Sequence, residues 1–300
     1  MKLALDWTPN VNHIGILIAK EKRFFEENGT TLELISPDTD NYSMTPGKRL
    51  AIQQVDFAIA PFETVISLNN KVNPINAIAL YAILQKDLSC IATLKSSGIT
   101  RPADLAGKKY ASYAARYEDK IVQEMIKEDG SLNEVNCIYP EKLGIWNTLL
   151  TEEADATWIF DNWEGVEATT QGIKLNKFRL GDYRIPYGYS PIIIARKEDI
   201  AQNNQEYSAV IKAIRKGYEY VIDHQEEATS ILSSYVTDND RQRINLAETI
   251  KQTAPFFGDA SAFGYMKKER VDTFLQWLVD KHLESNQILD QHLYTNDLLS

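Results

Sequence analysis

Only two cysteines, Cys90 and Cys137, occur among the 300 residues. Neither belongs to a Cys-x-x-Cys pair or a Cys/His cluster, so no zinc site is readable. A disulfide framework is not needed at this length, and buried, inert thiols are expected. Long apolar runs are also missing. No stretch approaches the roughly 18 continuous apolar residues of a membrane span. The opening run Leu3-Ala4-Leu5 is cut by Asp6, well short of the ~7–15 apolar residues of a signal-peptide core. As written, the sequence reads as cytoplasmic unless a leader was trimmed from it. Positive charge is in deficit: 32 Lys+Arg against 42 Asp+Glu give a net charge of −10. That argues against a nucleic-acid partner, which needs a basic face. There is no GxSxG elbow, Walker loop or GxGxxG, and no visible nucleophile–base pair. Local motifs therefore give no support for catalysis. No fixed-period repeat, low-complexity segment or Gly/Ser linker divides the chain.

What is present is an ordinary globular composition, 44% hydrophobic and 25% charged. Short apolar runs alternate with amphipathic segments. Strands are expected at Lys2–Asp6, Thr31–Ile35, Asp56–Ala60, Ala77–Ala82, Lys109–Ser112, Glu134–Ile138, Ala154–Phe160 and Ile192–Ala195. Helices are expected over 14–27, 45–54, 118–128, 145–150 and 163–170. After Lys197 only helical periods remain, at 205–222, 225–235, 239–253 and 266–283. The Lys267-Lys268-Glu269-Arg270 run reads as a solvated helix face. Two alternating βα regions followed by a helical tail imply two α/β lobes. Leu88–Thr93 and Tyr187–Ala195 are β-capable runs between those regions and are expected to cross from lobe to lobe. The first lobe would then be about 1–88 plus 190–300, and the inserted second lobe about 89–189. A ligand cleft between them, closed by a hinge, is the expectation.

Ligands of open α/β sheets meet the carboxyl ends of the strands. The residues there are Asp6, Trp7, Asn12 and His13; Phe62 and Glu63; Tyr113, Arg116 and Tyr117; Asp161, Trp163 and Glu164; and Tyr187 and Tyr189. This set suits a flat, polar heteroaromatic ligand. Aromatic faces stack on a ring, and a carboxylate pairs with a ring amine and a protonated ring nitrogen together. Trp158 lies mid-strand and reads as core. Arg116 fits an anion contact at a helix N-terminus or a surface pair with Glu118 or Asp119. His13 fits a ligand contact or a backbone hydrogen bond. No basic cluster stands at the strand ends, so a strongly anionic ligand is not expected.

The opening Leu5-Asp6-Trp7-Thr8-Pro9-Asn10-Val11-Asn12-His13-Ile14-Gly15, with Ala19-Lys20-Glu21-Lys22 and Phe24-Phe25, resembles the thiamine-pyrimidine family. Val55-Asp56-Phe57-Ala58, Lys95-Ser96-Ser97-Gly98-Ile99, Asp104-Leu105-Ala106-Gly107-Lys108-Lys109 and Ala154-Asp155-Ala156 extend the likeness over about residues 2–220. The resemblance implies the two-lobed type II periplasmic-binding-protein fold. It also implies one of two activities: capture of a pyrimidine precursor of thiamine for an ABC importer, or synthesis of hydroxymethylpyrimidine phosphate. The synthase branch carries a lysine for pyridoxal phosphate and a histidine four residues later; Ala60 and Thr64 match those positions. Its glycine-rich phosphate cradle matches Ala114-Ala115-Arg116-Tyr117, and its cysteine-rich iron motif matches Pro186-Tyr187-Gly188-Tyr189-Ser190-Pro191. The expectation is therefore a binding protein with no cofactor, pyridoxal phosphate and iron entering only under the enzyme alternative. In that role Trp7 and Tyr189 would stack on the pyrimidine and Glu164 would supply the carboxylate. An unrelated small molecule on the same fold remains a third reading.

Overall fold

The computed structural model describes residues 1–259 and 261–299. Ten strands form two mixed sheets of five. The first contains β1 (Lys2–Ala4), β2 (Glu33–Ile35), β3 (Phe57–Ala60), β4 (Ala77–Ala82) and β10 (Ile192–Arg196), in the order β2-β1-β3-β10-β4. The second contains β5 (Ser89–Leu94), β6 (Lys109–Ala111), β7 (Asn136–Ile138), β8 (Ala156–Phe160) and β9 (Leu175–Phe178), in the order β7-β6-β8-β5-β9. The two sheets share one plan. Three parallel strands are followed by a pair joined antiparallel, and in each sheet a strand beside a crossing segment, β10 or β5, sits second from the edge. This is the two-lobed α/β architecture expected from the sequence.

The central strand β3 and the edge strand β4 are buried on both faces, which is why they read as unbroken apolar runs. β9 has no such signal. It is a four-residue edge strand, Leu175-Asn176-Lys177-Phe178, exposed at Lys177, and it has no counterpart among the expected strands. The expected helix over 14–27 is two helices, Ile14–Glu21 and Phe24–Glu27, because Arg23 turns left-handed at φ 60°. The segment 239–253 likewise divides, into Asp238–Arg243 and Leu246–Thr253.

The segments between the sheets are tied together. Ile83 N–H donates to Pro191 O (3.1 Å), Phe62 N–H to Tyr189 O (3.0 Å) and Asp161 N–H to Leu88 O (2.8 Å). Arg270 is not part of a solvated face. Its guanidinium lies over the Tyr189 ring, 4.0 Å from the centroid, and donates to Gln85 O (2.7 Å), in the connection from β4 to β5, and to Gly188 O (2.6 Å), in the connection from β9 to β10.

The lobes also meet away from these crossings. Helix Glu164–Thr170 of the second lobe docks on the first through an Arg243–Glu167 ion pair (2.6 Å) and through Trp163 and Val166, which join the core beneath helix Ile14–Glu21. On the other side Glu284 accepts from Asn70 Nδ2 (3.0 Å) on the first lobe and from Arg116 Nε (3.0 Å) and Tyr117 OH (2.5 Å) on the second.

Candidate functional site

A cavity of about 640 Å³ opens between the carboxyl ends of the two sets of parallel strands. On the first-lobe side, β1 runs into the turn that delivers Asp6 and Trp7. Asn10 caps the following turn, its side chain accepting from Asn12 N–H (2.9 Å). His13 is fully buried behind this wall. Its Nδ1 accepts from Asn10 N–H (3.2 Å), so the ring proton sits on Nε2 and is donated to Asp6 Oδ1 (2.8 Å). His13 thus orients Asp6 and does not line the cavity.

Trp7 forms an aromatic corner with Tyr113 (centroids 5.8 Å, 78°) and Tyr42 (6.0 Å, 52°). Lys142 Nζ stands 5.2 Å from the Tyr42 centroid, and burial lowers its pKa. Across from β3, helix Glu63–Asn69 brings Glu63 to the wall, where both carboxyl oxygens accept from Tyr187 OH (2.9 Å each). Burial raises the Glu63 pKa to about 7. Tyr187 in turn packs on Trp158, 5.4 Å between centroids.

On the second-lobe side the 112–117 loop is braced by Glu118. Its Oε1 accepts from Tyr110 OH (2.7 Å) and Tyr113 N–H (3.0 Å), and its Oε2 from Ala115 N–H (3.1 Å). This bracing holds Ala114 at φ 57°, a left-handed position that glycine usually fills. Glu118 is therefore spent on its own loop. Glu164, at the first position of its helix, accepts from Phe160 N–H (3.0 Å) and is 8% exposed. Burial raises its pKa to about 7, so near neutrality it is as much an acid as a base. Glu164, like Glu63, has one internal partner, against three for Glu118.

The cavity wall thus includes nine residues singled out from the sequence: Asp6, Trp7, Asn12, Glu63, Tyr113, Arg116, Trp163, Glu164 and Tyr187. Five others lie elsewhere. His13 is the buried support just described. Phe62 is 1% exposed and packs in the core. Tyr117 is turned to Glu284. Asp161 is held by Lys177 and Arg179 (2.7 Å to Arg179), from the β9 region the sequence did not reveal. Tyr189, expected to stack on a ligand, is 1% exposed, and its OH accepts from Lys267 N–H (2.9 Å). Arg116 pairs with Glu284 rather than with Glu118 or Asp119.

Trp158, expected in the core, is on the wall. So are Tyr42, Lys48, Lys71 and Lys142, which no strand-end rule could find because loops and helices carry them. Lys48, Lys71 and Lys142 thus join Arg116 on the wall from outside the strand ends, where the sequence shows no basic cluster. Cys90 is buried as expected and Cys137 only half-buried, and burial pushes both thiols up to about 12. Among the described residues no group of three or more His, Cys, Asp or Glu is placed to hold a metal ion, and no helix is long and apolar enough to cross a membrane.

Residues 10–228 match the family model described as NMT1/THI5 like. The chain belongs to this family. A Haemophilus influenzae protein named for thiamine biosynthesis is 25% identical, over 86% of this chain and 80% of its own length. The formylaminopyrimidine-binding protein of Halalkalibacterium halodurans is 21% identical, over 100% of this chain and 89% of its own length. The 4-amino-5-hydroxymethyl-2-methylpyrimidine phosphate synthase of Legionella pneumophila is 22% identical, over 99% and 91%. Among solved structures, the alkanesulfonate-binding protein of Xanthomonas axonopodis pv. citri superposes with a TM-score of 0.72 at 11% identity, covering 99% of this chain and 98% of that one, a likeness of fold.

Ala60 and Thr64 both line the cavity. A methyl and a hydroxyl group stand where the resemblance places the cofactor lysine and its histidine, and an imine needs an amine.

Proposed function

We propose that the cavity binds a thiamine-related aminopyrimidine precursor, of the hydroxymethylpyrimidine or formylaminopyrimidine type, in thiamine biosynthesis or salvage. The observation that carries the reading is Glu164, a buried carboxyl with a pKa raised to about 7 on a wall rich in Trp and Tyr. An aminopyrimidine presents an amine beside a ring nitrogen. A carboxyl that shares one proton with that nitrogen, and accepts from the amine, matches both groups at once. Trp7, with Tyr42 and Tyr113 around it, supplies the flat apolar contact. The names of the Haemophilus and Halalkalibacterium relatives support the pathway and the ligand class. In this role the protein is the substrate-binding partner of an ABC importer acting outside the cytoplasm, rather than the cytoplasmic protein read from its opening residues. Ala60 and Thr64 weigh against the enzyme reading.

The shared proton gives the test. Above pH 7 both Glu164 and the ring nitrogen lose it, so affinity falls as pH rises from 7 to 9. Glu164→Gln keeps the shape but cannot share a proton. Calorimetric titration with hydroxymethylpyrimidine is expected to show binding weakened by about 1–3 kcal/mol and most of the pH dependence removed. Unaltered affinity and an unaltered pH profile in Glu164→Gln would remove Glu164 from the site.

A further inference from the structure

Asn162 does not line the cavity, yet it sits in a buried polar relay that ends there. It follows β8 in the second lobe and is 2% exposed. Its Nδ2 donates to Asn12 Oδ1 (2.9 Å) and to Thr253 Oγ1 (3.0 Å), both in the first lobe. The Thr253 hydroxyl lies 2.6 Å from Thr249 O. A carbonyl oxygen cannot donate, so the single threonine proton is spent there and Thr253 can only accept from Asn162. That fixes the face of Asn162: both amide protons are used, and its Oδ1 is enclosed without a partner. An orphaned buried acceptor is costly, and it is the consequence of this polarity.

Asn12 is then fixed in turn. Its Oδ1 faces Asn162, its carbonyl accepts from Tyr218 OH (2.6 Å), and its N–H donates to Asn10 Oδ1 (2.9 Å). Asn12 is 4% exposed and lines the cavity, and its Nδ2 has no partner among the described residues.

We propose that Asn162 is a specificity-determining positioning residue. Through Thr253 it sets the Asn12 amide with its donor toward the cavity, and so selects ligands that carry an acceptor, a ring nitrogen or a carbonyl, at that point. Because the relay spans the two lobes, the donor is set only while they are together. This deepens the reading above and rests on it only for the choice of probes.

The test has two arms. In the unliganded protein, labelled with ¹⁵N in asparagine, the Asn162 side-chain amide protons are expected to exchange slowly with water and those of Asn12 fast. In the second arm, 4-amino-2-methylpyrimidine is compared with the two aminopyridines that each lack one ring nitrogen. Wild type is expected to bind one of the pyridines about tenfold more weakly than the pyrimidine. Asn162→Asp, whose carboxylate only accepts, turns the Asn12 amide over and reduces that discrimination to within about twofold, as Asn12→Asp does. Thr253→Val has the same effect without burying a charge, and Thr253→Ser restores the discrimination.

Equal weakening of all three probes in both Asn162→Asp and Thr253→Val would mark a structural role only and overturn the proposal. So would fast exchange at Asn162, or a wild type that does not discriminate. If none of the three probes binds wild type, the pyrimidine reading fails, and the exchange pattern alone decides the relay.

Discussion

Glu63 and Glu164 are carboxylic acids held in apolar surroundings, and the stability they confer depends on pH. Burial raises each from an ordinary 4.5 to about 7. The folded protein therefore binds more protons than the unfolded chain across that interval. Their contribution to stability is full below about pH 4.5 and is lost as pH rises through 7. Thermal unfolding of the free protein is expected to show a lower midpoint at pH 8 than at pH 5, and the Glu63→Gln, Glu164→Gln double variant is expected to flatten that difference. A midpoint independent of pH in the wild type would contradict the burial of these groups. At this scale the sequence was informative where a parallel strand hands its next residues to the cleft: Asp6 and Trp7 after β1, Glu164 after β8. It misled where a distant element claims the side chain. Tyr189 is taken by Lys267 N–H and Arg270, Tyr117 by Glu284, and Asp161 by Lys177 and Arg179. Those partners lie between 16 and 167 residues away, beyond any local pattern.

Among the elements, helices Ile14–Glu21 and Asn204–Asp223 cross through paired glycines. A Cβ at Gly217 would meet Gly15 O at 1.9 Å, and one at Gly15 would meet the Tyr218 ring at 2.3 Å. The close crossing holds Tyr218 against Asn12 and so supports the cavity wall. Gly217→Ala is expected to destabilise by about 1–3 kcal/mol, despite alanine's better helix propensity, because backbone must move. Chemical denaturation reads this directly, and a neutral or stabilising outcome would contradict the crossing. Both helices were legible as amphipathic periods. Their pairing was not, because a glycine in a helical pattern reports only a missing side chain until its neighbour is known. β9 escaped notice for a related reason: four residues of an edge strand with an exposed lysine carry too little alternation to stand out.

The whole molecule is two lobes joined at the crossing segments and closed on both flanks. One flank is the packing of Trp163 and Val166 with the Arg243–Glu167 pair, and the other is Glu284 between Asn70, Arg116 and Tyr117. Glu284 ties Arg116 and Tyr117 of the second lobe to Asn70 of the first, so its loss is expected to loosen that side. Glu284→Ala is expected to speed amide hydrogen exchange in residues 113–118 and leave exchange in helix Glu164–Thr170 unchanged. Equal acceleration on both flanks would mean that the lobes separate as a unit. The two-lobed plan could be read from the sequence because βα alternation and the interrupting β-capable runs are local signals. The lysines of the cavity wall could not, because Lys48, Lys71 and Lys142 sit on helices and loops rather than at strand ends. The central claim is that the cavity takes an aminopyrimidine on a wall built around Trp7 and Glu164. Calorimetric titration of wild type and Trp7→Ala with the formylaminopyrimidine and hydroxymethylpyrimidine at pH 7 tests it most directly. The expected result is saturable one-to-one binding of at least one of them, weakened by about 1–3 kcal/mol in Trp7→Ala. No saturable binding of either, or equal affinity in wild type and Trp7→Ala, would contradict it.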